Sequence, residues 1–359
     1  MVGRFAPSPT GIMHWGNAST ALVAWLQVRA EGGRMLLRME DVDPQRSKPE
    51  FADGWRRDLS WLGLDWDEEV APQSQRGPRY AEALANLASQ GLVFACRCTR
   101  RDMEEAVSAP HGSFMGSYPG TCADGRWPLD GAGARRLRYP DDAVVLRRAD
   151  GAKLRDEPAA TGRSGLHDEV VLRRADGAKL RDEPATTGRL GLNDAVVLRR
   201  ADGAKLQDVR ADTRRSGLHD AVVLRRADGA WAYQLAVVVD DMDQGVTHIV
   251  RGRDLEDSAP LQRFLHRAMG NSQPPEVAHA PLWMGPDGHR LSKRHGSVGV
   301  RNSGLEAAQA VGRMAHGLGL RDRPDACTPR ELIDDWRARG PATLACGEVA
   351  AASFLPLHL

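Results

Sequence analysis

The segment GRFAPSPTGIMHWGN, residues 3–17, constrains the fold more than any other stretch of the chain. Val2 to Ala6 reads as a short strand, and Asn17 is placed to cap a helix whose apolar face would be Ala18, Ala21, Leu22, Trp25 and Leu26. A strand, a turn rich in proline and glycine, and a helix entrance together open an α/β unit. Backbone N–H groups left unpaired at such an entrance, with the helix dipole behind them, make it a place where anions dock. His14, Gly16 and Asn17 form an HxGN step there. Histidine and asparagine can donate to phosphate oxygens, and glycine lets a ligand close on the backbone. The same residues would also serve a plain capped helix, so this stretch alone leaves both readings open.

The pattern continues as an alternation. RMLLRME reads as an apolar strand ending in acids, followed by helices from about Pro49 to Leu62 and from about Gly77 to Gln90. Further on, WAYQLAVVVDD and THIVRG read as buried strands, SAPLQRFLHRAMG as a helix with a glycine stop, and the chain after Gly304 as small helices. Strands alternating with helices predict a parallel sheet covered on its faces. At 359 residues the chain is longer than one core needs, so more than one module is expected.

A repeat interrupts this alternation. DAVVLRRADGA begins at Asp142, returns as DEVVLRRADGA at Asp168, and appears again at Asp194 and Asp220, a period of 26 residues. Each copy offers a short β-prone run, an Ala-Asp-Gly turn and a polar tail, compatible with hairpins or with linker. A solenoid needs apolar faces that stack, and these units carry little beyond Val-Val-Leu and one later leucine. The preferred reading is a tandem duplication without a task of its own.

Charge narrows the functional classes. Lys plus Arg (49) nearly cancel Asp plus Glu (48), which excludes a strongly basic nucleic-acid binder and an acidic tail. No run approaches the roughly 18 uninterrupted apolar residues that a membrane span needs. A cytoplasmic, monomeric chain without membrane partners is the expectation. Of five cysteines, Cys96, Cys98 and Cys122 cluster while Cys327 and Cys346 lie far away, poor material for disulfides. Three thiolates form a soft set that favours zinc and requires a fourth ligand. Three buried free thiols are the plainer alternative, and His111 lies in the same loop.

Near the other end, GPDGHRLSKRHG, residues 285–296, is a tight turn followed by basic residues around Ser292 and Lys293. A mobile lysine can neutralise charge building on a phosphate leaving group. Taken together, RFAPSPTGIMHWGN and RLSK resemble the HIGH and KMSKS motifs of class I aminoacyl-tRNA synthetases. RFAPSPTG, RMEDVDPQRS, WAYQLAVVVDD and THIVRGRDL are similar to the glutamyl branch, and in particular to its short paralogues, the glutamyl-Q tRNA(Asp) synthetases. The resemblance covers essentially residues 3–300 apart from the repeats. Only about sixty residues follow Lys293, too few for the anticodon-binding region of a full-length glutamyl-tRNA synthetase.

The resemblance implies activation of L-glutamate by ATP to glutamyl-adenylate and transfer of the glutamyl group to the queuosine base of tRNA(Asp). It implies that Arg4, Phe5, Ala6, Pro7 and Ser8 line the glutamate pocket, that Glu40 holds the ammonium, and that Tyr233 and Arg251 join Arg4 around the two carboxylates. His14, Gly16, Asn17, Ser292 and Lys293 would meet ATP, with His14, Asn17 and Lys293 catalytic and Mg2+ arriving with the nucleotide. Arg290 stands where lysine is usual in the loop. One structural zinc would be held by Cys96, Cys98, Tyr118 and Cys122. The implied architecture is a Rossmann-like α/β catalytic domain: its first half at 1–94, a zinc-binding insertion at 95–141, the repeats at 142–219, its second half at 220–303 and a small helical region at 304–359. Three other readings stay open: a truncated glutamyl-tRNA synthetase charging tRNA(Glu), a catalytically silent tRNA-binding descendant, and an RNA-binding role for the repeats.

Overall fold

The computed structural model describes residues 1–99, 102, 118, 120–123, 125, 127–138, 222–285, 299–345 and 348–350, with the strand backbones at 145–148, 171–173, 197–199 and 209–212. The chain divides into two units. Met1–Asp102, Thr121–Arg138 and Val222–Leu359 form the first; Met103–Gly120 and Tyr139–Ala221 form the second.

The first unit begins with β1 (Val2–Phe5), α1 (Trp15–Ala30), β2 (Arg34–Leu37), α2 (Pro49–Leu62), β3 (Glu68–Glu69), α3 (Gly77–Ser89), β4 (Val93–Cys96) and β5 (Ala134–Leu137). The second unit contributes β6 (Val145–Arg148), β7 (Val171–Arg173), β8 (Val197–Arg199) and β9 (Val209–Asp212). The first resumes with β10 (Val223–Arg225), α4 (Tyr233–Asp243), β11 (His248–Gly252), α5 (Ala259–Ala268), β12 (Glu276–Ala280), β13 (Leu282–Met284), α6 (Ala307–Gly317), α7 (Ile333–Ala345) and β14 (Glu348–Ala350).

Five strands form a wholly parallel sheet in the order β12-β11-β1-β2-β3. β1 lies inside it, with β2 on one side and β11 on the other, so the strand order reverses there. Such a reversal opens a crevice at the carboxyl ends of the two diverging strands, here β1 and β11. Helix α1 closes directly over β1: a Cβ at Gly3 would collide with the Val28 side chain, so glycine is what permits the close approach. One hydrophobic core joins α1, α2, α6 and α7, through Leu22, Leu59, Met314 and Trp336 among others. The C-terminal helices therefore pack into the same core as the sheet.

Two local expectations give way. WAYQLAVVVDD forms helix α4 where its pattern predicts a strand. Leu235 to Val239 are buried on consecutive positions, and a run apolar on all sides carries no period that separates helix from strand. Asn17 lies inside α1. The cap is His14, whose Nδ1 accepts the Asn17 backbone N–H at 3.3 Å.

The repeats are treated differently by the two units. In every copy a Val-Leu-Arg stretch is strand, at 145, 171, 197 and 223. In the second unit β7 pairs antiparallel with β8, and β6 with β9. The fourth copy instead supplies β10 of the antiparallel sheet β10-β5-β4 in the first unit. Its distinguishing residue is Trp231, where the other copies have Lys153, Lys179 and Lys205. Trp231 bridges back to Arg225, carries the Arg225 guanidinium over its ring at 4.8 Å and meets Tyr80 edge-on at 5.9 Å. The duplicated units enter where Leu137 N–H already donates to Val222 C=O at 2.8 Å, so their removal leaves a hairpin end that is closed without them. Deleting residues 142–219 shortens this connection and lowers its closure entropy. The shortened chain is expected to unfold cooperatively in a calorimetric scan at or above the parent midpoint; loss of a cooperative transition would contradict this.

Candidate functional site

The crevice at the carboxyl ends of β1 and β11 is a cleft of about 440 Å³. Its walls include Arg4, Phe5, Ala6, Pro7, Ser8, His14, Gly16, Asn17, Glu40, Tyr233 and Arg251, so residues far apart in sequence meet in one place. Ser292, Lys293 and Arg290 lie outside the described residues, as does His111.

The proline-rich turn is pinned by its own carbonyls. Phe5, Pro7 and Pro9 C=O accept N–H bonds from Arg38, Glu40 and Lys48 at 3.0, 2.9 and 3.2 Å. Alternate carbonyls thus run beside the continuation of β2, and the prolines cost no donor that this ladder needs. Trp55 Nε1 closes the turn by donating to Gly11 C=O at 2.7 Å. At the entrance to α1, an accepting Nδ1 on His14 places the imidazole proton on Nε2. A Cβ on Gly16 would stand 3.3 Å from that ring, and glycine leaves the ring undisturbed.

Below the cleft lies a closed ionic network. Arg38, fully buried, pairs with Asp241 at 2.8 Å and with Glu40 at 3.0 Å, and donates to Gln244 Oε1 at 2.7 Å. Asp241 also accepts from Arg4 Nε at 3.2 Å, and Arg4 Nη1 reaches Val250 C=O at 3.4 Å. The neighbouring Asp240 collects Arg76 at 2.6 Å, Gln73 at 2.9 Å and the Tyr80 hydroxyl at 2.9 Å. Burial disfavours charge on Asp241, but the guanidinium groups of Arg38 and Arg4 outweigh it and hold its pKa below the ordinary value. For Glu40 the balance is reversed: burial dominates over Arg38 and Arg4, and its pKa is raised.

Arg251, on β11, is also buried, yet no carboxylate pairs with it among the described residues. Its Nε donates to His279 Nε2 at 3.3 Å, its Nη1 donates to Gln262 Oε1, and its buried Nη2 has no hydrogen-bond partner. Burial lowers its pKa, with the Arg4 charge adding to the effect and Tyr233 opposing it. Tyr233, in the first turn of α4, is pushed up to about 12 by burial and by Glu40.

The chain that leads to Lys293 is anchored beside His14 at both ends. Before it, Trp283 of β13 packs on Trp15 with ring centroids 6.4 Å apart; after it, Val300 N–H donates to Met13 C=O at 3.0 Å. Away from the cleft, Cys96, Cys98 and Cys122 bring their sulfurs within 4.8 Å of one another, and Cys98 and Cys122 are 3.7 Å apart. Sulfurs bound tetrahedrally at about 2.3 Å from one ion stand about 3.8 Å apart, so the thiol set fits a metal of that kind. Burial and the two neighbouring thiols push Cys98 up to about 12. Tyr118 is buried and belongs to the second unit.

The model of the class I tRNA synthetase (E and Q) catalytic domain matches residues 1–118 and 206–320. The glutamyl-Q tRNA(Asp) synthetase of Symbiobacterium thermophilum is 40% identical over 98% of this chain and 98% of its own length. The protein of that name from Nitratidesulfovibrio vulgaris is 38% identical over 89% of this chain and 86% of its own. The chain belongs to the glutamyl-Q tRNA(Asp) synthetase branch of the class I tRNA synthetases. In fold it is similar to a glutamate tRNA ligase of Elizabethkingia meningosepticum solved with its amino acid, at TM-score 0.64 and 23% identity over 93% of this chain. The chain spans 64% of the length of that ligase. The family match leaves out residues 119–205, which hold most of the repeat block.

Glu40 is held by Arg38, and Arg251 lies buried on β11. Five residues that matter to the cleft were not singled out by sequence: Arg38, Asp240, Asp241, Gln262 and His279. The paired acids at the end of an apolar run, VVVDD, were the available signal, since acids buried in such a run require cations.

Glu40 titrates with a sign opposite to Asp241. A folded-state pKa above the unfolded value gives a contribution that is present below the unfolded pKa and lost as pH rises through the folded one. Glu40→Gln is therefore expected to melt above the parent at pH 7.5, the gap closing below about pH 4. Thermal melts across pH check this, and a lower melting point at pH 7.5 would contradict it.

Proposed function

We propose that the cleft binds L-glutamate and ATP, joins them as glutamyl-adenylate with release of pyrophosphate, and then passes the glutamyl group to the queuosine base of tRNA(Asp). The observation that carries this reading is the pair of buried guanidinium groups, Arg4 and Arg251, beside the buried carboxylate of Glu40 on one cleft wall. A substrate with two carboxylates and one ammonium is the complement of that set. Tyr233 adds a phenol that stays protonated at neutral pH and can donate to a carboxylate oxygen.

The entrance to α1 supports the nucleotide half of the reading. His14, donating through Nε2, and the backbone at Gly16 and Asn17 suit phosphate oxygens at a helix N-terminus. A glutamate carboxylate oxygen attacks the α-phosphorus of ATP, the bond to the β-phosphate oxygen breaks, and pyrophosphate leaves. No protein nucleophile is required. The protein's part is placement of the two reactants and stabilisation of charge on the transferring phosphorus and the departing oxygens. Lys293 and Ser292 are assigned to the leaving group, in keeping with a loop tethered beside His14 at both ends. Arg290 retains the charge of the usual lysine there but not its shape. Mg2+ accompanies the nucleotide and offsets its phosphate charge. The three thiols, with Tyr118 as the fourth ligand of the reading, are assigned one structural zinc.

Glutamate-dependent exchange of pyrophosphate into ATP, run without tRNA, is the deciding assay for activation. Robust exchange is expected, with Lys293→Ala lowering its kcat by about 100-fold or more; no exchange with retained tRNA binding would favour the silent RNA-binding reading. Labelled glutamate is expected on tRNA(Asp) bearing queuosine, and labelling of tRNA(Glu) instead would indicate a truncated glutamyl-tRNA synthetase. Elemental analysis of purified protein is expected to give one zinc per chain, and chelation to lower the melting midpoint; a fully folded, active, metal-free protein would refute the metal assignment.

A further inference from the structure

The two arginines of the cleft are anchored by different means. Behind Arg4 stands a carboxylate, Asp241, which contacts its Nε at 3.2 Å. Arg251 has His279 on Nε and Gln262 on Nη1, both neutral acceptors, with the Tyr233 phenol beside it. Resting on the glutamate-activation reading above, we infer that Gln262 and His279 are specificity-determining positioning residues. By holding Arg251 without compensating its charge, they reserve that charge for the side-chain carboxylate of the substrate and so select glutamate over glutamine.

The neutrality of both anchors is built in. Gln262 Nε2 donates to Gln234 Oε1 at 2.8 Å, and Gln234 Nε2 donates onward to Ser258 Oγ at 3.0 Å. This chain engages the amide nitrogen on one side and leaves the Gln262 oxygen facing Arg251. His279 can accept at Nε2 only with its proton on Nδ1. Burial, with Arg251 and Arg253 nearby, lowers its pKa to about 4, so it is uncharged near neutrality. The other groups acting on Arg251 are Tyr233, Arg4 and the more distant Asp241, and Asp241 is already paired with Arg38 and Arg4.

A buried guanidinium without a counter-charge is costly, and Nη2 meets no acceptor in hydrogen-bond geometry, the Tyr233 phenol being the neutral group nearby. A carboxylate at that point supplies both the acceptor and the charge, whereas a carboxamide supplies an acceptor alone. A site that leaves a buried polar group unmatched against the wrong ligand discriminates strongly.

The test is pyrophosphate exchange with glutamate and with glutamine on the full chain, comparing parent, Gln262→Glu and Gln262→Met. Gln262→Glu keeps the shape and adds a carboxylate beside Arg251. Its kcat/KM for glutamate is expected to fall by about 100-fold, chiefly through KM, while glutamine loses far less, so the preference shrinks. Gln262→Met removes the acceptor without adding charge and is expected to weaken use of glutamate while retaining the preference. An unchanged glutamate-to-glutamine ratio in a folded Gln262→Glu variant, or equal loss for both amino acids, overturns the inference. Thermal melts establish folding, and if Gln262→Glu does not fold, His279→Asp presents a carboxylate to Nε and is read by the same ratio. Absence of exchange in the parent overturns the activation reading itself, and is distinguishable because it precedes any comparison of variants.

Discussion

Asp241 holds two arginines at once in a space closed to water, and the form of the cleft depends on that arrangement. Arg38, beyond the end of β2, and Arg4, on β1, both reach across to α4, so three elements distant in sequence are tied at one carboxylate. Taking such charges out of water is costly, and their mutual attraction recovers the cost only when geometry and hydrogen bonding are complete. Here Gln244, Glu40 and Val250 C=O complete much of it, and Asp240 extends the tie to Arg76 and Tyr80 on the far side. A buried pair of this kind is weak evidence for stability as such. Its stronger consequence is positional, since the side chains facing the cleft have few other places to stand.

On the proposed reading, the ordering serves the chemistry. Electrostatic catalysis works when charged groups are already in place before the reaction, because no free energy is then spent in turning them. Arg4 is fixed by a carboxylate, Glu40 by a guanidinium, and Arg251 by neutral acceptors. Parallel β-strand topology brings these to one end of the sheet, and the reversal of strand order between β11 and β2 leaves that end open.

The same architecture bears on the expectation that the duplication has no task of its own. In sequence the repeats lie between β5 and β10, antiparallel neighbours in a sheet separate from the parallel one, and connections between such strands generally accept insertion. Only the fourth copy runs on into Trp231 and Tyr233. The aromatic contacts of Trp231 with Arg225 and Tyr80 therefore give this copy, among four nearly identical ones, a reason to occupy the β10 position.

The local code was legible where periodicity or punctuation was strong. The apolar stripe of α1, the proline start of α2 and the short first strand stand where their patterns put them, because each is decided by neighbours within one or two turns. The motifs at residues 3–17 and 38–47 likewise contain part of the cleft lining, Arg4 to Ser8, His14, Gly16, Asn17 and Glu40 among it. What the sequence misread was WAYQLAVVVDD, which reads as a strand where the chain is helix, since burial on every side erases the period. It also put the cap of α1 at Asn17 where the structure has His14, and it did not name the cations that answer Asp240 and Asp241. Those were settled by tertiary structure, for a physical reason: a buried charge takes its partner from whichever element the fold brings against it, and that choice is written in no single stretch of chain.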